Sequence, residues 1–281
     1  MSSAPTNARF PGAWQAAGLL GLLAALQLLV GVAFTVAQPI SHLPPEHPVV
    51  QGVAALFAGI AVAWFGWRRR GGAFAATYPV TRVPASMVAA VVLTVAGLGI
   101  LMSEADNALR SVLPPPDWLA EFFEQLSDGR HGVWAPLFAL VVAAPIAEEL
   151  VFRGLLLQGF LARYPARTAV VGAALLFGLA HLNPWQFLGA AAFGVVAGWW
   201  FLGTRSLVPG LLGHALNNGL PTLLRETGLD IPGYTSGLTA AAQFQPLWFD
   251  ALGVVLLCAG LWLTRRVFSA GFSVAAGAPP P

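Results

Sequence analysis

Eight uninterrupted apolar runs punctuate the sequence, at approximately 13–37, 49–67, 83–103, 133–160, 168–183, 184–203, 206–224 and 246–264. Most approach the ~20 residues that a helix needs to cross a hydrocarbon layer ~30 Å thick. Inside that layer the chain must satisfy its own backbone N–H and C=O groups, so only helices and closed barrels can cross. A barrel needs apolar and polar residues in alternation, and these runs are continuous. With 9% charged residues and 57% hydrophobic ones, the chain is far from the ~25% charge of a soluble domain. The expected fold is all-α, a polytopic membrane protein with about eight transmembrane helices.

The links are short and rich in Pro, Gly and Arg. The longest, 104–132, carries Glu104, Asp106, Asp117, Glu121, Glu124 and Asp128 around Pro114-Pro115-Pro116. Its acids, with Arg110 and Arg130, read as a solvated loop. Trp118, Leu119, Phe122, Phe123 and Leu126 recur at near-helical spacing, as in an amphipathic helix lying at the interface. All 14 basic residues are Arg. Arg9, Arg68, Arg69, Arg70, Arg82, Arg163, Arg167, Arg205, Arg265 and Arg266 fall on one side of an eight-span arrangement. Arg110, Arg130 and Arg225 fall on the other, and Arg153 lies within a span. The positive-inside rule then places both termini in the cytoplasm, in an integral protein of a bacterial or archaeal cell membrane.

The first run, after Arg9, exceeds the ~7–15-residue core of a cleaved signal and is expected to stay as a span. A formal charge of +2 with no basic cluster larger than Arg68–Arg70 argues against a nucleic-acid partner. The lone Cys258 excludes an intrachain disulfide. Trp199-Trp200 reads as an interfacial anchor and Gly194-x-x-x-Gly198 as a close-packing motif. The expected organisation is a cytoplasmic N-terminus (1–12), three spans with an external amphipathic link (13–132), a catalytic membrane core (133–224), an external loop with the last span (225–270) and a disordered tail (271–281).

Polar groups at membrane depth cost about 2.5–3.5 kcal/mol for a central charge and are functional candidates by default. Here they gather in the second half: Glu148, Glu149 and Arg153 in the fourth run, His181 at the end of the fifth, and His214, Asn217 and Asn218 in the seventh. Glu149 and Arg153 are i,i+4 and can form an internal ion pair. Glu148 is turned about 100° away and has no neutraliser on its own helix, which makes His181 and His214 its candidate partners. His214 and Asn218 are again i,i+4. Pro145 is expected to kink its span and free a carbonyl. At ~1.5 Å per residue, Glu148 and His181 meet only if the fourth span continues through Phe160-Leu161 or the fifth starts late or tilts.

Such a set can activate water. Glu148 is the candidate general base, His181 a group to hold the water, and His214 with Asn218 the donors for an oxyanion. The cavity would lie between the fourth, fifth and seventh spans. Glu148, His181 and His214 could instead hold zinc with an open fourth position. The favoured reading needs no cofactor.

Glu148-Glu149-x-x-x-Arg153, Phe177-x-x-x-His181 and His214-x-x-x-Asn218, in this order, resemble the CAAX-prenyl-endopeptidase and bacteriocin-processing (CPBP, or Abi) family of intramembrane proteases. The likeness covers about residues 133–224, and the remaining spans agree only in kind. It implies an eight-helix membrane protease in which Glu148, His181, His214 and Asn218 are catalytic and Glu149 and Arg153 support them. It also implies a peptide or protein substrate, itself membrane-associated in some cases. It does not choose between a metal and glutamate-activated water. The competing classes are a proton-coupled transporter, weakened by the lack of an internal repeat, and a non-catalytic immunity or binding protein.

Overall fold

The computed structural model describes residues 7, 9–127, 131–236 and 241–270, with the side chains of 123, 125–127, 225 and 226 excepted. The expected disordered tail, most of the N-terminal segment, Asp128 and Arg130 lie outside the described residues. The elements are α1 (Ala13–Ser41), α2 (Pro48–Arg70), a single turn α3 (Phe74–Thr77), α4 (Ala85–Val112), α5 (Asp117–Ser127), α6 (Trp134–Leu161), α7 (Ala166–Leu179), α8 (Pro184–Thr204), α9 (Val208–Glu226) and α10 (Leu247–Ser269). No strand occurs among the described residues.

Eight long helices therefore stand where eight apolar runs were expected. Six of them, α1, α2, α4, α6, α8 and α10, are long and apolar enough to cross a membrane. The other two carry Phe177 and the His214–Asn218 pair, while Glu148, Glu149 and Arg153 lie on α6. α7 has only 14 residues, about 21 Å, and α9 is broken up by His214, Asn217, Asn218 and Pro221.

Close approach rather than apolar bulk joins these helices, because lipid tails are as apolar as leucine. A Cβ on Gly97 of α4 would lie 2.3 Å from the Leu257 nitrogen of α10, and one on Gly260 would lie 2.4 Å from the Thr94 nitrogen. Gly59 of α2 meets Ala147 of α6 in the same way, and Gly194 and Gly198 of α8 meet Ala174 and Val170 of α7. The last pair confirms the expected packing motif. α1 packs mainly on α2 and leaves Leu28, Val32, Val36 and Ile40 exposed.

Hydrogen bonds tie each end of the bundle together. At the arginine-rich end, Arg70 Nη1 donates to the Phe10 carbonyl (3.0 Å) and Arg163 Nε to that of Arg9 (2.8 Å). There also, Ser206 Oγ donates to the Thr81 carbonyl (2.9 Å). At the opposite end, Asn107 Nδ2 donates to the Gly233 carbonyl (2.8 Å), Gln245 N to Glu104 Oε2 (2.9 Å) and Trp185 Nε1 to the Leu113 carbonyl (2.8 Å).

Two expectations need correction. The third span was drawn to 103, but α4 runs to Val112, since nothing breaks a helix until the triple proline disfavours helical geometry before it. Glu104, Asp106, Asn107 and Arg110 therefore ride on a helix rather than on a solvated loop, and Asn107 and Arg110 are buried. Trp200 is no interfacial anchor. It is fully buried, with its indole N–H 3.4 Å from Thr264 Oγ1. The helix expected in this link is present as α5, with Leu119 and Ala120 buried and Trp118 exposed.

The backbone contacts at Gly97 and Gly260 cannot yield as a side chain would. We expect Gly97→Val and Gly260→Val each to cost at least the ~1–3 kcal/mol of an overpacked core, read as lower thermal stability in detergent. Gly18→Val on α1, where a Cβ meets nothing within 4 Å, should leave it unchanged.

Candidate active site

α6 is not a regular helix. Wide π-type turns at Phe138–Ala143 and Leu150–Leu157 flank the α-helical Ala144–Glu149, and such turns are frequent at functional sites. In a π turn the partner of the Leu140 carbonyl is the N–H five residues on, which is Pro145, and proline has none. The expected free carbonyl is therefore Leu140. Asn218 Nδ2 of α9 donates to it at 3.0 Å. This bond fixes the orientation of the amide, because a carbonyl can only accept. Asn217 Nδ2 donates to Asn218 Oδ1 at 3.3 Å, so one amide hydrogen of Asn218 stays available.

The two glutamates differ in burial and partners. Glu149 is fully buried; its Oε1 accepts from Arg153 Nη1 at 2.5 Å and from His214 Nδ1 at 3.1 Å. A Cβ at Gly210 would lie 2.4 Å from Glu149 Oε2, so α9 needs glycine there to approach the carboxylate. Glu148 keeps 26% of its side chain exposed, and its Oε2 lies 3.7 Å from His214 Nε2, beyond hydrogen-bond length. No protein donor reaches that oxygen. His214 thus stands between the two carboxylates, one ring nitrogen towards each.

Phe177 organises the rest. The Arg153 guanidinium lies 4.6 Å from its ring centre and 5.4 Å from that of Phe193, which supplies cation–π attraction to a cation hidden from water. The same Phe177 ring meets His181 edge-on at 5.2 Å and His214 at 5.6 Å. His181 Nδ1 lies 2.9 Å from the Phe177 carbonyl. That carbonyl accepts, so Nδ1 carries the proton and Nε2 of the neutral ring is left as an acceptor. The α7–α8 turn satisfies itself: Asn183 Oδ1 accepts from Gln186 N (2.9 Å), and Asn183 Nδ2 donates to the His181 carbonyl (2.9 Å). α7 stops at Leu179 and α6 at Leu161, so His181 stands in the turn after α7 rather than within a span that runs to 183.

A cavity of about 380 Å³ is framed by α4, the α7–α8 turn, α9 and residues 233–236. His181, His214, Asn217 and Asn218 line its inner part, and Asp106, Asn107, Arg110 and Gln186 its outer part. No residue of α6 lines it, so the fourth span contributes no wall to the cavity expected between the fourth, fifth and seventh spans, and Glu148 lies outside it. Tyr234 of the connecting segment also lines it, and burial pushes its phenol up, so it remains a protonated donor. The sequence reading missed the α4 contribution, Phe193 and Gly210. A charged i,i+4 pair, Asp106 and Arg110, continuing a helical run was the available signal for α4.

Among the described residues no three His, Cys, Asp or Glu form a group able to hold a metal ion. His214 turns Nδ1 to Glu149 and His181 commits Nδ1 to a carbonyl, which leaves Nε2 of each ring as the nitrogen that a metal would take.

Residues 130–220, which hold all of this apparatus except the α4 wall, the last residues of α9 and the connecting segment, match a known family model. That model is described as type II CAAX prenyl endopeptidase Rce1-like, and it is what this segment is similar to. The match spans every motif residue from Glu148 to Asn218. The chain is also 33% identical over 152 residues to the uncharacterized protein YyaK of Bacillus subtilis (strain 168), covering 48% of this chain and 50% of that protein. The chain thus spans about half the length of the curated relative it matches. No solved structure matches it.

The geometry of the Rce1-like segment separates the glutamates. Glu149→Gln should lower thermal stability by ~3–5 kcal/mol, because it strands Arg153. Glu148→Gln should leave stability near that of the parent while abolishing turnover. Equal stability of the two variants, with activity surviving in Glu148→Gln, would reverse the assignment.

Proposed function

We propose that this chain is an intramembrane endopeptidase that hydrolyses a peptide bond with water activated by Glu148. The observation that carries this reading is the position of Glu148 Oε2, held 3.7 Å from His214 Nε2 with no protein donor upon it. A carboxylate oxygen kept at membrane depth and left unpaired is costly, and serving a reacting water gives that cost a use. The Rce1-like match supports a protease of this general class.

In the proposed cycle Glu148 takes a proton from water as the water oxygen bonds to the scissile carbonyl carbon. His181 Nε2 accepts the second water hydrogen and orients it. The oxyanion is met by the free amide hydrogen of Asn218, and by His214 Nε2 when that nitrogen carries a proton. Glu148 then returns its proton to the leaving nitrogen as the C–N bond breaks. No serine or cysteine nucleophile enters, and Cys258 lies exposed on α10.

A purified-protein assay tests the metal-free cycle. With quenched fluorescent peptides in proteoliposomes, Asn218→Ala should lower kcat by ~10²–10³, as for loss of one oxyanion donor, and activity should survive strong chelators. Stoichiometric zinc that leaves together with activity in His214→Ala would overturn the metal-free cycle.

A further inference from the structure

We propose that the junction of α4 and α10 is a binding site for a hard divalent cation, calcium by its chemistry, held by Glu104, Asp250 and the side-chain carbonyl of Gln245. The site is separate from the Glu148–His214 cluster and stands whether or not the chain is a protease.

Helix register brings the two carboxylates together. α4 and α10 run antiparallel in close contact, with Thr94 against Gly260, Gly97 against Leu257 and Leu101 against Gly253. The same register sets position 104 opposite position 250. Glu104 and Asp250 are near enough to repel each other, and such repulsion grows as the surroundings become less polar. No salt bridge between described residues involves either of them. Arg110 of α4 interacts with Asp106 instead.

Three oxygens at this junction remain for a cation. Glu104 Oε2 accepts from Gln245 N (2.9 Å) and from Asn107 Nδ2 (3.1 Å), so its structural bonds fall on one oxygen and leave Oε1. Asp250 Oδ1 is shielded from solvent and meets no donor. Gln245 is only 5% exposed, and its Oε1 is likewise buried without a donor. Gln245 Nε2 donates to the Ile100 carbonyl (3.2 Å). Gln245 thus touches α4 at both 100 and 104, one turn apart, and this is the stretch that faces 250–254 of α10.

Carboxylate oxygens and an amide carbonyl all accept, so they cannot satisfy one another. Buried acceptors left bare are costly, and two facing carboxylates add to that cost. A cation answers both at once. An all-oxygen set of this kind suits calcium or magnesium rather than a transition metal. Calcium tolerates an irregular set completed by water, whereas magnesium demands near-octahedral geometry. The bound ion joins α4 to the start of α10, and Asn107 carries the link on to the Gly233 carbonyl (2.8 Å).

The test uses the full chain in a non-ionic detergent, freed of metal with a chelator, with the melting temperature read at neutral pH against added calcium chloride. With two carboxylates the expected Kd is on the order of 10⁻⁴–10⁻³ M. At ~10 mM calcium the parent should melt ~2–5 °C higher, and equimolar magnesium should do less. Asp250→Asn removes both an anionic ligand and the repulsion. It should melt at or above the parent without calcium and show no rise with it. Glu104→Gln, whose amide oxygen can still accept from Gln245 N, should lose the calcium response in the same way. No calcium-dependent rise in the parent, or an equal rise in Asp250→Asn, would overturn the proposal. A rise on acidification with no effect of calcium would assign the pair to a shared proton and overturn it as well.

Discussion

The hydrogen-bonded chain Arg153–Glu149–His214 is the interaction on which the second half of this molecule depends. A lone charge at this depth is costly, and removing one partner of a buried pair typically costs 3–5 kcal/mol. Glu149 and Arg153 answer this within one helix, and His214 brings α9 to the same oxygen. Everything about the site follows from that anchorage. It fixes the imidazole plane, aims Nε2 at Glu148 and leaves Glu148 itself outside the structural bonds. The aromatic rings of Phe177 and Phe193 over the guanidinium complete the solvation that water would otherwise give.

The helices pay unequally for this arrangement. α7 is too short to cross and α9 too polar, and both depend on neighbours that are long and apolar. The Pro145 break in α6 is likewise resolved by another helix, through Asn218 and the Leu140 carbonyl. A defect in one helix and a polar residue in another satisfy each other, which ties the register of α9 to that of α6. The same bond leaves Asn218 one hydrogen for other work.

Much of the architecture is legible in the sequence because apolar run length and membrane thickness are one physical quantity. Eight helices, the Glu149–Arg153 pair and the α7–α8 glycine contact all follow from local spacing. The outer third of α4 is not legible in this way. Its Glu104 and Asn107 look like loop residues until the chain comes back at Gln245 and Gly233 to bind them. Trp200 fails for the same reason, since its partner Thr264 is 64 residues away. Of the site, the motif residues stand out as polar groups in apolar runs. Their sorting, with His214 between the two glutamates, depends on how α6 and α9 pack. One-dimensional spacing contains no such information.

The claim that Glu149 and Arg153 form the structural anchor, while Glu148 is left free for chemistry, is tested most directly by a double-mutant cycle. Thermal or denaturant unfolding in detergent would compare Glu149→Leu, Arg153→Met and the double variant. The account predicts strong destabilisation by each single change and a double variant far more stable than their sum, with a coupling of ~2–3 kcal/mol. Additive losses, with no coupling between the two positions, would contradict it.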